Sequence, residues 1–168
     1  MPDHLTIRVA TPADADLVTS IVAAAYRTLV KADYDTAALA AALPAMSKAN
    51  PKHLASGTYY IVEADGEPAG CGGWSFEAPG TSAVEPGVAH IRHFATHPDH
   101  LRKGVAGALL RHCLAEATKS GASVMRSQST LLAEPFYAAA GFRRIAEVQA
   151  KMGDGVYVPA IDMERSLP

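Results

Sequence analysis

The stretch HPDHLRKGVAGALL, residues 97–110, places a proline, a basic pair and two glycines ahead of a run of small apolar residues. Glycine is a poor helix former, and helices usually start after a Ser, Thr, Asp or Asn cap. Apolar residues nevertheless recur at helical spacing after Gly104, which predicts a helix. Its first amides would be unpaired, and Arg102 and Lys103 would add positive charge beside them. The stretch therefore indicates a diphosphate-binding loop at residues 102–107, or alternatively a helix start packed tightly on a sheet.

Composition sets the class of protein. The 168 residues are 49% hydrophobic and 19% charged, which predicts a globular chain, and we expect one domain over residues 1–168. A net charge of −2 predicts no nucleic-acid partner, and the absence of a long apolar run or a signal-peptide core predicts no membrane partner. Cys71 and Cys113 form no CxxC pair, which is typical of a reducing compartment, so a cytoplasmic location is expected. A homodimer is left open.

Periodicity and turn residues predict the order β-α-α-β-β-β-α-β-α-β-β, an α/β domain around a mixed sheet. Asn50-Pro51 is interpreted as the end of the helical region that contains the second helix, and Pro159 as the sign of an edge position or a bulge. The predicted strands cover residues 5–9, 58–64, 67–76, 88–96, 123–127, 142–148 and 156–163, and the predicted helices start at residue 11 and cover 35–46, 101–119 and 134–140.

Two motifs in this order resemble those of the GNAT superfamily of acyl-CoA-dependent N-acetyltransferases. The family's loop Q/R-x-x-G-x-G/A, between a strand and a helix, matches Leu101–Ala106 at Gly104 and Ala106 and departs at Leu101. The segment EPFYAAAGF, residues 134–142, is similar to the family's FYxxxGF motif. The resemblance implies a single-domain, largely antiparallel sheet with a splayed strand pair and helices on both faces.

The resemblance also implies a binding mode for acetyl-CoA as co-substrate, with no metal. Its pantetheine arm would enter between strands 88–96 and 123–127 and pair with the backbone of Phe94, Ala95 and Thr96. Ser129 or Thr130, after the second of these strands, would give a polar contact to the arm. The diphosphate would be held by the loop residues Arg102, Lys103, Gly104, Val105, Ala106 and Gly107.

Acetyl transfer needs a neutral amine and a proton for the departing thiolate. An ordinary tyrosine, with a pKa near 10, is protonated at neutral pH and can supply that proton. Tyr137 stands where the family carries its tyrosine, so the resemblance implies that it is the general acid. The alternative is a core aromatic residue beside Phe136 and Phe142.

The candidate base lies on strand 88–96. Regular alternation would put His90 and Arg92 on one face and His93 on the other. Some members of the family carry a carboxylate or a histidine near the start of this strand, so the resemblance implies His90 as the first candidate for the base, followed by Glu77 and Glu85 in the adjoining loop; the alternative is a surface histidine. Arg92 would bind an acceptor carboxylate or pair with an acid across the sheet, and Glu77 is a further acceptor-binding candidate.

Two rival readings concern metals and thiols. His90, His93, His97 and His100 lie within eleven residues, but strand geometry separates the first two, and we expect no metal site. Cys71, in a glycine-rich strand, is interpreted as a buried structural residue. An N-acetyltransferase, a non-catalytic acyl-CoA-binding domain and a histidine-site metal protein remain as hypotheses. For the first, the acceptor is a small-molecule or protein amine, and the family places its pocket at Tyr26–Ala55 and Glu77–Gly87.

Overall fold

The dipeptide Asp65-Gly66 between two apolar runs is a strong hairpin signal because both residues tolerate positive φ. In the computed structural model of the protein, which describes residues 4–30, 36–153 and 156–168, φ is 50° at Asp65 and 83° at Gly66. These two residues join strands β2 (Tyr59–Ala64) and β3 (Glu67–Ser75), which pair antiparallel. The predicted hairpin is confirmed.

The remaining elements follow the predicted order with one addition, a short helix α3. The strand order in the sheet is β1-β2-β3-β4-β5-β7-β6, and the predicted mixed, largely antiparallel α/β architecture is confirmed. The other bounds are β1 (Leu5–Val9), α1 (Ala15–Val30), α2 (Thr36–Ser47), α3 (Pro51–Ala55), β4 (Val88–Thr96), α4 (Val105–Lys119), β5 (Val124–Thr130), α5 (Glu134–Ala139), β6 (Arg143–Gly153) and β7 (Val156–Ser166).

Helix α3 corrects the interpretation of Asn50-Pro51 as a stop signal. The Asn50 side chain accepts a hydrogen bond from the Lys52 N–H at 2.9 Å, and Pro51 occupies the first turn. A capping asparagine followed by proline starts a helix as readily as it ends one. The predicted start of α2, Asp35, lies outside the described residues.

The chain divides into two compact units, and residues up to Gly73 together with His93–Cys113 form unit 1. Strands β1, β2 and β3 pair antiparallel there. The core of unit 1 combines residues of β2, β3 and the end of β4 with residues of α1, α3 and the segments that precede these helices, and its buried members are Ala10, Val18, Ile21, Val22, Ala49, Leu54, Tyr59, Ile61, Cys71 and Ala95. Burial raises the pKa of the Cys71 thiol to about 12, as expected for a structural cysteine.

Unit 2 comprises Trp74–Arg92 and the chain from Leu114 onwards. Its strands β5, β7 and β6 are antiparallel neighbours, and the start of β4 pairs parallel with β5. That parallel pairing covers Val88–His90 and Val124–Arg126, although β4 runs to Thr96 and β5 to Thr130. The interruption is the pairing pattern expected of a splayed strand pair.

Pro159 does not mark an edge strand, because β7 lies between β5 and β6. Pairing of β7 with β5 stops at Ala160, whereas pairing with β6 continues through Pro159. Proline has no N–H to donate. Pro159 therefore lies in the part of β7 that pairs with β6 alone. This is locally an edge position, as expected for proline, although β7 as a whole is an internal strand.

Candidate functional site

The loop before α4, in unit 1, has an unusual backbone. His97 Nδ1 accepts a hydrogen bond from the Asp99 N–H at 3.1 Å, which caps a short 3₁₀ turn at Pro98–His100. Arg102 and Gly104 then adopt left-handed conformations with φ of 61° and 79°. Glycine accepts that conformation without strain, which explains Gly104 in physical terms. The helix predicted from residue 101 begins instead at Val105, since the loop takes up the first four residues.

This loop presents a row of free amides. The Gly104 carbonyl accepts the first helical hydrogen bond from Ala108 N at 3.0 Å. Among the described residues, none of the N–H groups of residues 103–107 donates a backbone hydrogen bond. Unpaired amides at a helix start carry the positive end of the helix dipole. We call residues 102–107 the amide cradle.

Side chains around the amide cradle are of three kinds. Val105 is buried and would touch a Cβ added at Gly70, so it serves packing and can offer a ligand only its backbone. Arg102 is exposed and Lys103 half-buried, and in the described part of the chain neither forms an ion pair. Ala106 and Gly107 are small and half-buried. The cradle therefore combines free amides, two available cations and little steric bulk.

The end of β4, also in unit 1, departs from regular alternation. His93 has φ of 54°, its Nε2 lies 3.2 Å from the Met46 carbonyl oxygen, and its own carbonyl accepts a hydrogen bond from the Tyr59 hydroxyl at 2.9 Å. Because a strand residue with positive φ breaks the pleat, the predicted alternation across His90–Ala95 is wrong at His93.

The predicted pantetheine-pairing residues follow this break. The Phe94 ring covers Gly72, where an added Cβ would lie 2.3 Å from the ring, and Ala95 is buried in the core of unit 1. At Ala95, this segment can therefore offer a ligand only its backbone. Its role in binding pantetheine stays a prediction.

Unit 2 contains a cavity of about 340 Å³, which we call the strand cavity. It includes the first candidate for the base. The lining residues come from β4, β5, β6, β7 and the loop after β3, and they are Ala78, Pro79, His90, Ile91, Arg126, Ser127, Gln128, Ile145, Asp162 and Met163. Of the family's acceptor segments, Glu77–Gly87 contributes here through Ala78 and Pro79.

His90 is 8% exposed, so it is not the surface histidine of the alternative reading. Burial lowers the pKa of its imidazole below the ordinary value, and the charges of Arg126 and Arg92 lower it further, while Glu85 opposes them. A histidine with a lowered pKa is neutral at pH 7 and can accept a proton.

Arg92 and Glu77 have structural partners of an unexpected kind. The Arg92 guanidinium donates to the Ser75 hydroxyl at 3.0 Å and to the Glu77 carbonyl oxygen at 2.9 Å. The expectation that Arg92 pairs with an acid across the sheet is therefore wrong, because main-chain and hydroxyl oxygens hold it. Neither Arg92 nor Glu77 lines the strand cavity, and their roles toward an acceptor stay predictions. Glu85 forms an ion pair with Arg126 at 3.2 Å.

Tyr137 lies on α5 and is buried. Its ring centroid is 5.0 Å from that of Phe136 and 5.3 Å from that of Phe142, so the predicted aromatic cluster exists. The Tyr137 carbonyl accepts hydrogen bonds from the N–H groups of Ala140 and Phe142, both at 3.0 Å, which fixes the residue at the end of the helix. This packing is compatible with both roles considered for Tyr137, the general acid and the core aromatic residue.

Ser129 and Thr130 are the last residues of β5, so the expectation that they follow the strand is wrong. The Ser129 hydroxyl donates to the Thr130 carbonyl at 2.6 Å, and the Thr130 hydroxyl accepts from the Ala133 N–H at 3.2 Å. Both hydroxyls therefore shape the turn into α5, and their contact to pantetheine stays a prediction.

Sequence reasoning missed Arg126, Ser127, Gln128 and Asp162. The sequence shows only that polar residues alternate in the two segments that form β5 and β7. This alternation indicates a shared site only once the register of the two strands, which pairs Gln128 with Asp162, is known. Within the described ranges no three His, Cys, Asp or Glu side chains form a group suited to a metal ion.

The comparisons with known proteins agree with these features. Residues 23–142 match the family model described as the acetyltransferase (GNAT) family, which covers both the amide cradle and the motif around Tyr137. The chain belongs to this family. The sequence matches none of the curated proteins with which it was compared.

Several solved structures share the GNAT fold. A GCN5-related N-acetyltransferase from Rhodopseudomonas palustris has a TM-score of 0.76 and 22% identity over 99% of this chain and 98% of its own. The PaiA N-acetyltransferase from Thermoplasma acidophilum, solved with coenzyme A, has a TM-score of 0.72 and 14% identity over 97% and 99%. The ribosomal-protein-S18-alanine N-acetyltransferase from Escherichia coli has a TM-score of 0.65 and 19% identity over 98% and 94%. None of the helices described in this GNAT chain combines the length and apolar character needed to cross a membrane.

Proposed function

We propose that this GNAT protein is an acetyl-CoA-dependent N-acetyltransferase that moves an acetyl group to a primary amine of a small molecule or protein by direct attack in a ternary complex. The observation that carries the proposal is the amide cradle. Free N–H groups at residues 103–107, next to Arg102 and Lys103, are the donors and cations that a diphosphate requires. The coenzyme A bound to the Thermoplasma relative supports the same cofactor class.

His90 and Tyr137 are proposed to move the protons. Neutral His90 takes one proton from the bound ammonium, which leaves a nitrogen lone pair free to attack the thioester carbonyl carbon. The C–N bond forms and the C–S bond breaks, while the nitrogen loses its second proton to solvent. The Tyr137 hydroxyl gives a proton to the departing thiolate and is reprotonated from solvent, and His90 returns its proton to solvent, so the net release is one proton.

The test is a pair of measurements on the full chain. Calorimetry should show acetyl-CoA binding, and a panel of amines, polyamines, amino acids and peptides should give CoA release that depends on both substrates. Neutralising both cations in Arg102→Gln/Lys103→Gln should weaken acetyl-CoA binding by about tenfold or more. The matched control is Lys119→Gln, which removes one exposed lysine from the other end of α4 and should leave binding unchanged.

Two results would contradict the proposal in different ways. Acetyl-CoA binding without CoA release from any acceptor would favour the alternative, a non-catalytic acyl-CoA-binding domain. Failure to bind acetyl-CoA at all would contradict the role of the amide cradle.

A further inference from the structure

Two carboxylates on β7 differ in their partners. Glu164 is held by two arginines, since Arg126 Nε lies 3.4 Å from its Oε2 and Arg143 contacts its Oε1. Asp162, two residues earlier, lines the strand cavity. Within the described residues Asp162 has no ion pair and no side-chain hydrogen bond. Its neighbours in register are Gln128 and Ala146, neither of which is charged.

The lining of the strand cavity therefore has an uncompensated negative charge. Its one cationic side chain, Arg126, is shared between Glu85 at 3.2 Å and Glu164 at 3.4 Å. A half-buried carboxylate without a partner favours a ligand that brings a positive charge. Because these two carboxylates already neutralise the charge of Arg126, this side chain does not favour an anionic ligand.

Strand register places Asp162 at a useful distance from the candidate base. His90 pairs with Arg126, Arg126 with Glu164, and Gln128 with Asp162, so these side chains project from one face of the sheet. His90 and Asp162 are two strands apart and displaced by two residues, which puts their Cα atoms about 12 Å apart. The two side chains project into this gap, so the distance between their functional groups matches a ligand with a chain of about three to five carbon atoms.

The rest of the lining is neutral. Gln128 is exposed and flanks Asp162. Ser127 pairs with Met163, one residue out of phase, so its side chain projects from the opposite face of β5 and is not part of the surface formed by His90 and Asp162. The volume of about 340 Å³ is at the small end of ligand sites and suits a compact molecule.

We propose that the strand cavity binds a small amine that carries a second cationic group, with Asp162 holding the distal ammonium and His90 facing the acceptor nitrogen. This inference deepens the proposed function by naming the acceptor class. Asp162 is thereby assigned as the specificity-determining residue for the acceptor.

The test compares linear diamines with a monoamine of similar length. Binding of 1,3-diaminopropane, 1,4-diaminobutane, 1,5-diaminopentane and n-butylamine is titrated by calorimetry, with and without saturating CoA. We expect at least one diamine to bind about tenfold more tightly than n-butylamine, and Asp162→Asn to abolish that preference. Glu147→Gln, which neutralises an exposed carboxylate on β6, is the matched control and should keep the preference. Thermal unfolding of each variant shows that the fold is retained, and Asp162→Glu should restore part of the preference.

Equal binding of diamines and n-butylamine, no diamine binding in either titration, or a preference that survives in Asp162→Asn would each overturn the inference. The CoA-release assay separates this outcome from failure of the proposed function. Diamine binding without CoA release would contradict the transferase and leave the role of Asp162 intact. Release from n-butylamine at the same kcat/KM as from the diamines would contradict the role of Asp162 alone.

Discussion

The amide cradle and the strand cavity use different groups for recognition, main-chain groups in the first and side chains in the second. In the cradle the recognising groups are main-chain N–H donors of consecutive residues, and the side chains there are small, buried, or cations that are exposed or half-buried. In the cavity the recognising groups are the side chains of His90, Gln128 and Asp162, from three strands distant in sequence.

The difference teaches how each site should respond to substitution. The N–H donors of a main-chain site are disturbed by added bulk or by a change of backbone conformation, because no side-chain substitution deletes them; only the flanking cations can be neutralised. A side-chain site is disturbed by deletion of one functional group with the volume preserved. Each of the following predictions tests or sharpens this comparison.

The largest effect is expected at Tyr137. Tyr137→Phe keeps the ring and its contacts to Phe136 and Phe142 but removes the hydroxyl. If the hydroxyl protonates the thiolate, kcat and kcat/KM should fall together by ~10²–10⁴-fold, with acetyl-CoA affinity nearly unchanged. Steady-state kinetics with the best acceptor and calorimetry with acetyl-CoA measure the two quantities.

Phe136→Leu is the control for packing in the same aromatic cluster, and it should lower stability more than it lowers kcat. Full kcat in Tyr137→Phe would make Tyr137 a packing residue, and the proton would then come from solvent.

The next effect is expected in the amide cradle, where added bulk should matter as well as charge. Gly107 lies in the first turn of α4, and an added Cβ there would meet only Arg111 Nη1, at 3.5 Å. Gly107→Val is therefore tolerated by the fold and crowds the free amides, so acetyl-CoA affinity should fall by about tenfold or more at unchanged stability. Calorimetry and thermal unfolding check both parts.

Gly104→Val is a less clean test, because φ at Gly104 is 79° and a β-branched residue there is strained whether or not a ligand binds. Gly121→Val, at a positive φ outside both sites, is the matched control for that strain. Unchanged acetyl-CoA affinity in a folded Gly107→Val protein would place the diphosphate elsewhere.

The same contrast explains what could be predicted from the sequence. The cradle was predictable because its residues are consecutive, and the hairpin at Asp65-Gly66 because its turn chemistry is local. The break at His93 left no local signal, since it depends on contacts with Met46 and Tyr59. Asn50-Pro51 was ambiguous between a stop and a start.

The strand cavity was beyond local reasoning. Asp162 differs from Glu164 only through partners that β5 and β6 bring to it, and the register of those strands is a long-range property. Likewise, the burial of His90 follows from the strands around it and not from its own neighbours in sequence.

A smaller effect is expected from the charge state of His90. Its pKa lies below the ordinary value of 6.5 because of burial first and the charges of Arg126 and Arg92 next, with Glu85 opposing. Activity that needs the neutral imidazole should rise with pH through this lowered pKa and level off at a lower pH than an ordinary histidine would give. His90→Gln should remove that rise and lower kcat by about tenfold, since water can accept the proton in part.

The measurement is a pH profile of kcat/KM for parent and variant between pH 4.5 and 8. His112→Gln, which alters a histidine of α4 outside the cavity, is the control and should keep the rise. An unchanged profile in His90→Gln would transfer the role of base to Glu77, Glu85 or water.

The smallest effect concerns stability at a contact that belongs to neither site. Arg8 donates hydrogen bonds to both oxygens of the Asp14 carboxylate at 2.9 Å, and the Thr11 N–H donates at 2.8 Å. The bond from Arg8 is the main cause that lowers the pKa of Asp14 from 3.8 to about 2. The unfolded chain therefore binds this proton more readily, so the stabilisation is complete above pH 3.8 and is lost as the pH falls through about 2.

Asp14→Asn should lower the free energy of unfolding by about 1 kcal/mol at pH 7, which is the usual value of an interaction at the start of a helix. The variant should approach the parent's stability near pH 2. Urea unfolding across this pH range measures the difference, with the exposed Asp16→Asn in the same turn as control. Because this contact supplies neither free amides nor a cavity side chain, acetyl-CoA affinity and kcat should stay at the parent values, and a loss of either would show that the two sites are less local than the comparison holds.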